Sequence, residues 1–140
     1  MPVLSNILLI DDDSDDAALF EYVLEEIHPD CRLTIATYEP GDQNDLTQYP
    51  PPDIIVLDIN MPYKSGKEWL DEIRSFKQYD QVPIVILSGH KNPSYIDHCL
   101  SHGADKYYIK PATLPAIKSM IAEICGITKG IIRNSWGILE

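Results

Sequence analysis

Three short apolar runs each end on a polar residue. Ile7-Leu8-Leu9-Ile10 runs into Asp11-Asp12, Ile54-Ile55-Val56-Leu57 into Asp58, and Ile84-Val85-Ile86-Leu87 into Ser88. Apolar runs this short, without alternation, read as strands covered on both faces, which is the condition of a parallel sheet. Helix-period segments lie between them, so the chain predicts βα units wrapped around such a sheet, an α/β fold. Open α/β sheets bind ligands at the C-terminal ends of their strands. If the first and third strands share one sheet, Asp11, Asp12 and Asp58 converge at that edge. Like charges so close cannot all stay ionised without a cation, and oxygen-only donors favour Mg²⁺ over zinc or copper.

The rest of the chain fills in the units. Ser14 is placed to cap a first helix with Phe20, Val23, Leu24 and Ile27 on its apolar face, and His28-Pro29-Asp30 ends it. A second strand spans Arg32 to Thr37. Pro40-Gly41 and Pro50-Pro51-Pro52 leave room for only a short, weak helix near Asp42 to Tyr49. Ser65 and Glu68 form a capping box for a helix that turns Trp69, Ile73 and Phe76 inward. Asn92-Pro93 opens a fourth helix that Gly103 closes. Lys106 to Ile109 forms the fifth strand and runs into Lys110-Pro111. The last helix packs Leu114, Ile117, Ile121 and Ile124, with Gly126 as its C-cap.

Composition narrows the function. The 140 residues suffice for one domain with a proper core. A net charge of -11 argues against sequence-independent nucleic-acid binding, which depends on neutralising phosphates. No apolar run approaches the ~20 residues of a membrane span, and Met1 to Asn6 lacks the basic segment of a signal peptide. Cys31, Cys99 and Cys125 are odd in number and widely spaced, so neither a disulfide framework nor a metal motif is expected, and a reducing cytoplasm is the natural location.

Taken singly, each strand-end residue has an ordinary explanation: helix capping for Asp11 to Asp16, a turn at Asp58, loop satisfaction by Ser88, a solvated Lys110. Their joint placement, each ending its own strand, is specific. The set Asp11-Asp12, Asp58-Ile59-Asn60-Met61-Pro62 with Gly66, Ser88, and Lys110-Pro111 resembles the receiver domain of two-component response regulators. The resemblance covers about Asn6 to Cys125. It implies a doubly wound five-stranded parallel sheet flanked by helices, in the flavodoxin-like order 2-1-3-4-5. It assigns residues 1–125 to a receiver domain and 126–140 to an apolar tail, carrying Ile131, Ile132, Trp136, Ile138 and Leu139, with no output domain.

The same resemblance implies roles. Asp58 is the phosphoacceptor; Mg²⁺, with Mn²⁺ as a substitute, is held by Asp12, Asp58 and the Asn60 carbonyl, with Asp11 acting largely through water. Ser88 and Lys110 stabilise the phosphoryl group, Ser88 and Tyr107 form the switch, and Asn60 and His90 tune dephosphorylation. The Lys110-Pro111 bond is expected cis, against the general preference for trans. The implied partners are a sensor histidine kinase or phosphotransfer protein, a downstream protein target and a second copy of the chain, without direct DNA or membrane binding. The protein would catalyse only its own phosphorylation and dephosphorylation.

Rival readings fit less well. Asp11-x-Asp13 resembles the nucleophile motif of haloacid-dehalogenase-type phosphatases, but Asp15 stands at its last position. An EF-hand would need Gly and Glu where Asp16 and Tyr22 stand. A flavodoxin-like cofactor protein would want a phosphate loop rich in Ser, Thr and Gly after the first strand, and that loop is acidic here. A receiver fold used as a constitutive binding module, without phosphorylation, is the remaining alternative.

Overall fold

The computed structural model describes residues 6–11, 13–36, 51–59 and 65–126. Five strands, β1 (Asn6–Ile10), β2 (Arg32–Ala36), β3 (Ile54–Asp58), β4 (Ile84–Ser88) and β5 (Lys106–Ile109), form one sheet in the order β2-β1-β3-β4-β5. Every pairing is parallel, with Ile10 opposite Leu57, Asp58 opposite Leu87 and Ser88 opposite Ile109. Four helices among the described residues flank the sheet: α1 (Ser14–Ile27), α2 (Gly66–Ser75), α3 (Pro93–Ser101) and α4 (Leu114–Cys125). The weak helix expected near Asp42 to Tyr49 and the tail beyond Gly126 lie outside the described residues.

Successive strand residues point to opposite faces, so each apolar run feeds two cores at once. Leu8, Ile10, Ile55, Leu57, Ile84, Ile86 and Tyr107 pack with Trp69, Leu70 and Ile73 of α2 and Ile96 and Cys99 of α3. Ile7, Leu9, Val56, Val85, Leu87 and Tyr108 pack with Phe20, Val23 and Leu24 of α1 and Met120, Ile121 and Ile124 of α4. This double burial is why the runs show no polar alternation.

The helix boundaries follow local chemistry, with small corrections. Asp13, not Ser14, caps α1: its carboxylate accepts from the backbone N–H of Asp15 and Asp16, and Ser14 becomes the first helical residue. The Ser65–Glu68 capping box forms as expected, and Asn92 caps α3 with Pro93 in the first turn. Leu114, expected in the core, is the first residue of α4 and stays 44% exposed, while Ile121 and Ile124 further along the helix are buried.

A single guanidinium organises the end of the sheet away from the acidic strand ends. Arg74 donates to the carbonyls of Tyr79 at 2.9 Å, Val82 at 2.7 Å and Gly103 at 2.7 Å, and to the carboxylate of Asp105 at 2.9 Å. Asp105 also accepts from the Ile84 amide at the start of β4. Gly103 has φ +114°, and a Cβ there would press on the Arg74 side chain at 3.3 Å, so glycine serves both the turn after α3 and the close approach of Arg74. Removing Arg74 strands a buried carboxylate. Arg74→Ala is expected to cost about 3 kcal/mol of stability, read as a lower urea midpoint with an unchanged slope.

Candidate functional site

The strand ladder brings the chemistry-bearing residues to one edge. Asp11 N–H donates to the Ala36 carbonyl at 3.1 Å, Ile59 N–H to Leu87 at 2.9 Å and Lys110 N–H to Ser88 at 2.9 Å, so the residues flanking each strand end are held by backbone bonds. Asp11 and Asp58 end neighbouring strands and are both buried. Lys110 leaves β5 beside Ser88 and places its ammonium 2.7 Å from Asp58 Oδ2 and 2.8 Å from Asp16 Oδ2. Carboxylate oxygens of Asp11, Asp16 and Asp58 all lie within 4.8 Å of one another. Asp12 and Asn60, named as ligands from sequence, lie outside the described residues.

Asp16 is the member that sequence reasoning missed. By sequence it belongs to an acidic run that fits helix capping, and capping does occur nearby through Asp13. The available signal was its offset: with Asp13 as the cap, Asp16 sits three residues into the helix, and it reaches Lys110 across 94 residues of sequence.

The electrostatics follow from burial. Burial, and then the neighbouring charge of Asp58, push Asp11 up to about 8, although its Oδ1 accepts a stabilising hydrogen bond from the Asp13 N–H at 2.9 Å. Burial also raises Asp58, opposed by its contacts with Lys110. Burial works against the Lys110 charge, but its bonds to Asp16 and Asp58 outweigh that and hold it above the ordinary lysine range. Without a metal, the pair Asp11–Asp58 therefore retains a proton near neutrality. Asp58 Oδ1 is buried with no hydrogen-bond partner among the described residues. A buried anion with an orphaned oxygen and acidic neighbours suits a hard divalent ion or an incoming electrophile.

Ser88 and Tyr107 lie behind this edge and are fully buried. Ser88 Oγ accepts from the His90 N–H at 3.1 Å, and the Tyr107 hydroxyl donates to the His90 carbonyl at 2.9 Å. Burial raises the Tyr107 hydroxyl, and the neighbouring Ser88 side chain opposes that shift. The ring of Tyr95 on α3 stacks edge-on against Tyr107, with 6.3 Å between centroids, and lies 5.0 Å from the His90 ring. The Tyr95 hydroxyl in turn lies where a Cβ on Gly66 would come within 2.8 Å, which requires glycine at the start of α2. His90 itself is exposed at the rim.

One expectation is corrected. No cis peptide bond occurs among the described residues, so Lys110-Pro111 is trans. The trans form is favoured by about 0.5–1 kcal/mol for any residue before proline, and the Lys110 side chain reaches Asp58 from it. A small cavity, about 90 Å³, opens beside the site between α1 and α4, with Asp11, Asp16, Asp58 and Lys110 on its polar side and Phe20 and Met120 on its apolar side.

A parallel sheet in the order 2-1-3-4-5, with a cluster of carboxylates that could hold a metal ion and one ammonium at its C-terminal edge, defines a flavodoxin-like α/β protein. The chain belongs to the response regulator receiver domain family, whose profile matches residues 7–122. A probable cyclic di-GMP phosphodiesterase of Vibrio cholerae is 31% identical over 82% of this chain, a match that spans only 25% of that longer protein. The phosphorylated cyanobacterial phytochrome response regulator RcpA superposes with TM-score 0.72 at 25% identity, covering 91% of this chain and 99% of that one. The Mn²⁺-bound form of response regulator Rcp1 gives 0.69 at 27% identity, covering 88% and 91%. No helix among the described residues is long and apolar enough to cross a membrane.

The raised Asp11 has a pH consequence. A carboxyl whose folded value exceeds its unfolded value of 3.8 stabilises the fold below that value, and the contribution is lost as pH rises towards about 8. In buffer free of divalent ions, unfolding free energy is expected to fall from pH 5 to pH 8. Asp11→Asn, which keeps an oxygen for the Asp13 amide, should flatten that slope in denaturant titrations at the two pH values.

Proposed function

We propose that this chain is a phosphorylation-dependent switch in which Asp58 accepts a phosphoryl group from a phosphohistidine or a small phosphodonor. The observation that carries the reading is the buried Asp58, with Oδ2 held by Lys110 at 2.7 Å and Oδ1 without a partner among the described residues. The Asp58 carboxylate attacks phosphorus as the donor's P–N bond breaks. The departing imidazole nitrogen keeps that bond's electron pair and takes up a proton from solvent. Such transfers need alignment and charge neutralisation more than covalent chemistry from the protein. Lys110 supplies a point charge for the phosphoryl oxygens, and the buried Ser88 hydroxyl supplies a donor.

The donor set fits a hard divalent ion. Asp11, Asp12, Asp58 and the Asn60 carbonyl would hold Mg²⁺, or Mn²⁺ in its place, while Asp16 is already engaged by Lys110. When bound, Mg²⁺ lets the carboxylate and phosphoryl anions approach one another. Intact mass after exposure to acetyl phosphate and Mg²⁺ should show one added phosphoryl group on the parent and none on Asp58→Asn. Equal labelling of the variant would sink the reading. Asp12→Ala should lose most Mg²⁺ affinity in a titration, and unchanged affinity would remove Asp12 from the ligand set.

Output follows the route from Ser88 through Tyr107 to the face formed by α3, β5 and α4. With a net charge of -11, another protein, whether a histidine kinase, a phosphotransfer protein, a downstream target or a second copy of this chain, suits that face better than duplex DNA. His90 and Asn60 would set how readily water removes the phosphoryl group, in a cytoplasmic setting. Phosphorylation should change partner affinity by ~1–3 kcal/mol, measured by pull-down with and without phosphodonor. Identical partner sets in both states would leave the constitutive module as the better reading.

A further inference from the structure

Two imidazoles stand apart from the acidic edge. His98 and His102 are four residues apart at the end of α3, so one turn of helix brings both to the same face, with 4.4 Å between ring centroids. The same spacing on a helix places paired histidines on one zinc ion in metalloprotease motifs. Across the groove, Asp71 of α2 presents Oδ1 at 3.7 Å from His102 Nδ1, and Lys67 at 3.0 Å steadies the same carboxylate. At 3.7 Å this is a charge contact rather than a hydrogen bond, but a carboxylate on one side of the ring favours the proton on the near nitrogen and leaves the other as a donor for a metal. His98 is exposed and His102 half-buried, so solvent ions reach both. The pair also lies at a helix C-terminus, where the backbone dipole favours positive charge.

We propose that His98 and His102 form a binding site for a divalent transition ion of the Zn²⁺ class, with Asp71 as the positioning residue for His102. Imidazole donors suit such an ion, whereas the oxygen-only cluster at Asp11 and Asp58 suits Mg²⁺, so the two sites select different metals. Two protein ligands leave the remaining positions to water. An ion bound there ties the end of α3 to α2 through the His102–Asp71 contact and gives the α3 face a second chemical input. The proposal does not depend on phosphorylation at Asp58.

The test is a calorimetric titration of Zn²⁺ into the whole chain, in excess Mg²⁺ to fill the acidic cluster. A Cys31→Ser background removes a half-exposed thiol as a competing ligand. One Zn²⁺ should bind, and His98→Ala and His102→Ala should each abolish that binding while leaving the thermal melt unchanged. Asp71→Asn should weaken it roughly tenfold without abolishing it. In NMR spectra the ring signals of His98 and His102 should shift with Zn²⁺ while those of His28 stay fixed. Zn²⁺ binding of equal strength in the two alanine variants, or unshifted His98 and His102 rings, overturns the assignment.

Discussion

The Lys110 ammonium is the interaction on which the acidic edge depends. It sits 2.7 Å from Asp58 and 2.8 Å from Asp16, in a place where burial works against the charges of both Asp58 and Lys110. A buried ammonium is tolerated because two carboxylates meet it, and those carboxylates stay close because it is there. The shortfall remains at Asp11, which burial and the Asp58 charge push up, and at Asp58 Oδ1, which has no hydrogen-bond partner among the described residues. That imbalance is chemically useful. A site fully neutralised by its own side chains would have no affinity left for an added cation or phosphoryl group.

The two ends of the sheet solve the burial of charge in opposite ways. At the Arg74 end, four backbone carbonyls and Asp105 meet one guanidinium, and the result is a clamp joining α2 to the starts of β4 and β5. At the Asp58 end, the groups are deliberately under-satisfied. Stability and reactivity are thus separated by the length of the strands, and a change in occupancy at one edge need not loosen the other.

Much of this was legible in the sequence because it follows from short-range pattern. The runs ending at Ile10, Leu57 and Leu87 announce buried parallel strands, and the Ser65–Glu68 box and Asn92-Pro93 announce helix starts. Asp58, Asp11, Ser88 and Lys110 were legible as strand-end residues, and the structure brings them to one edge. What escaped depends on distance in the chain. Asp16 belongs to the site only through a partner 94 residues away, and Arg74 finds Asp105 only after α3 and its turn are in place. The cap shifted from Ser14 to Asp13 because both are good cap residues one position apart, and the extended backbone at Asp13 decides which serves. The cis expectation at Lys110-Pro111 came from family resemblance, not from any local feature, and it gave way.

The span between Asp16 and Lys110 also orders events during folding. β5 is the edge strand on the side away from β2, and it brings in the ammonium last in chain order. A chain emerging from the ribosome presents its acidic strand ends well before their counter-charge is synthesised. β1 and β3 pair through their apolar runs, and the ammonium reaches their C-terminal tips only from the end of β5, which pairs with β4. Completion of the site is therefore coupled to completion of the sheet, and a partly made protein has no assembled centre with which to accept a signal.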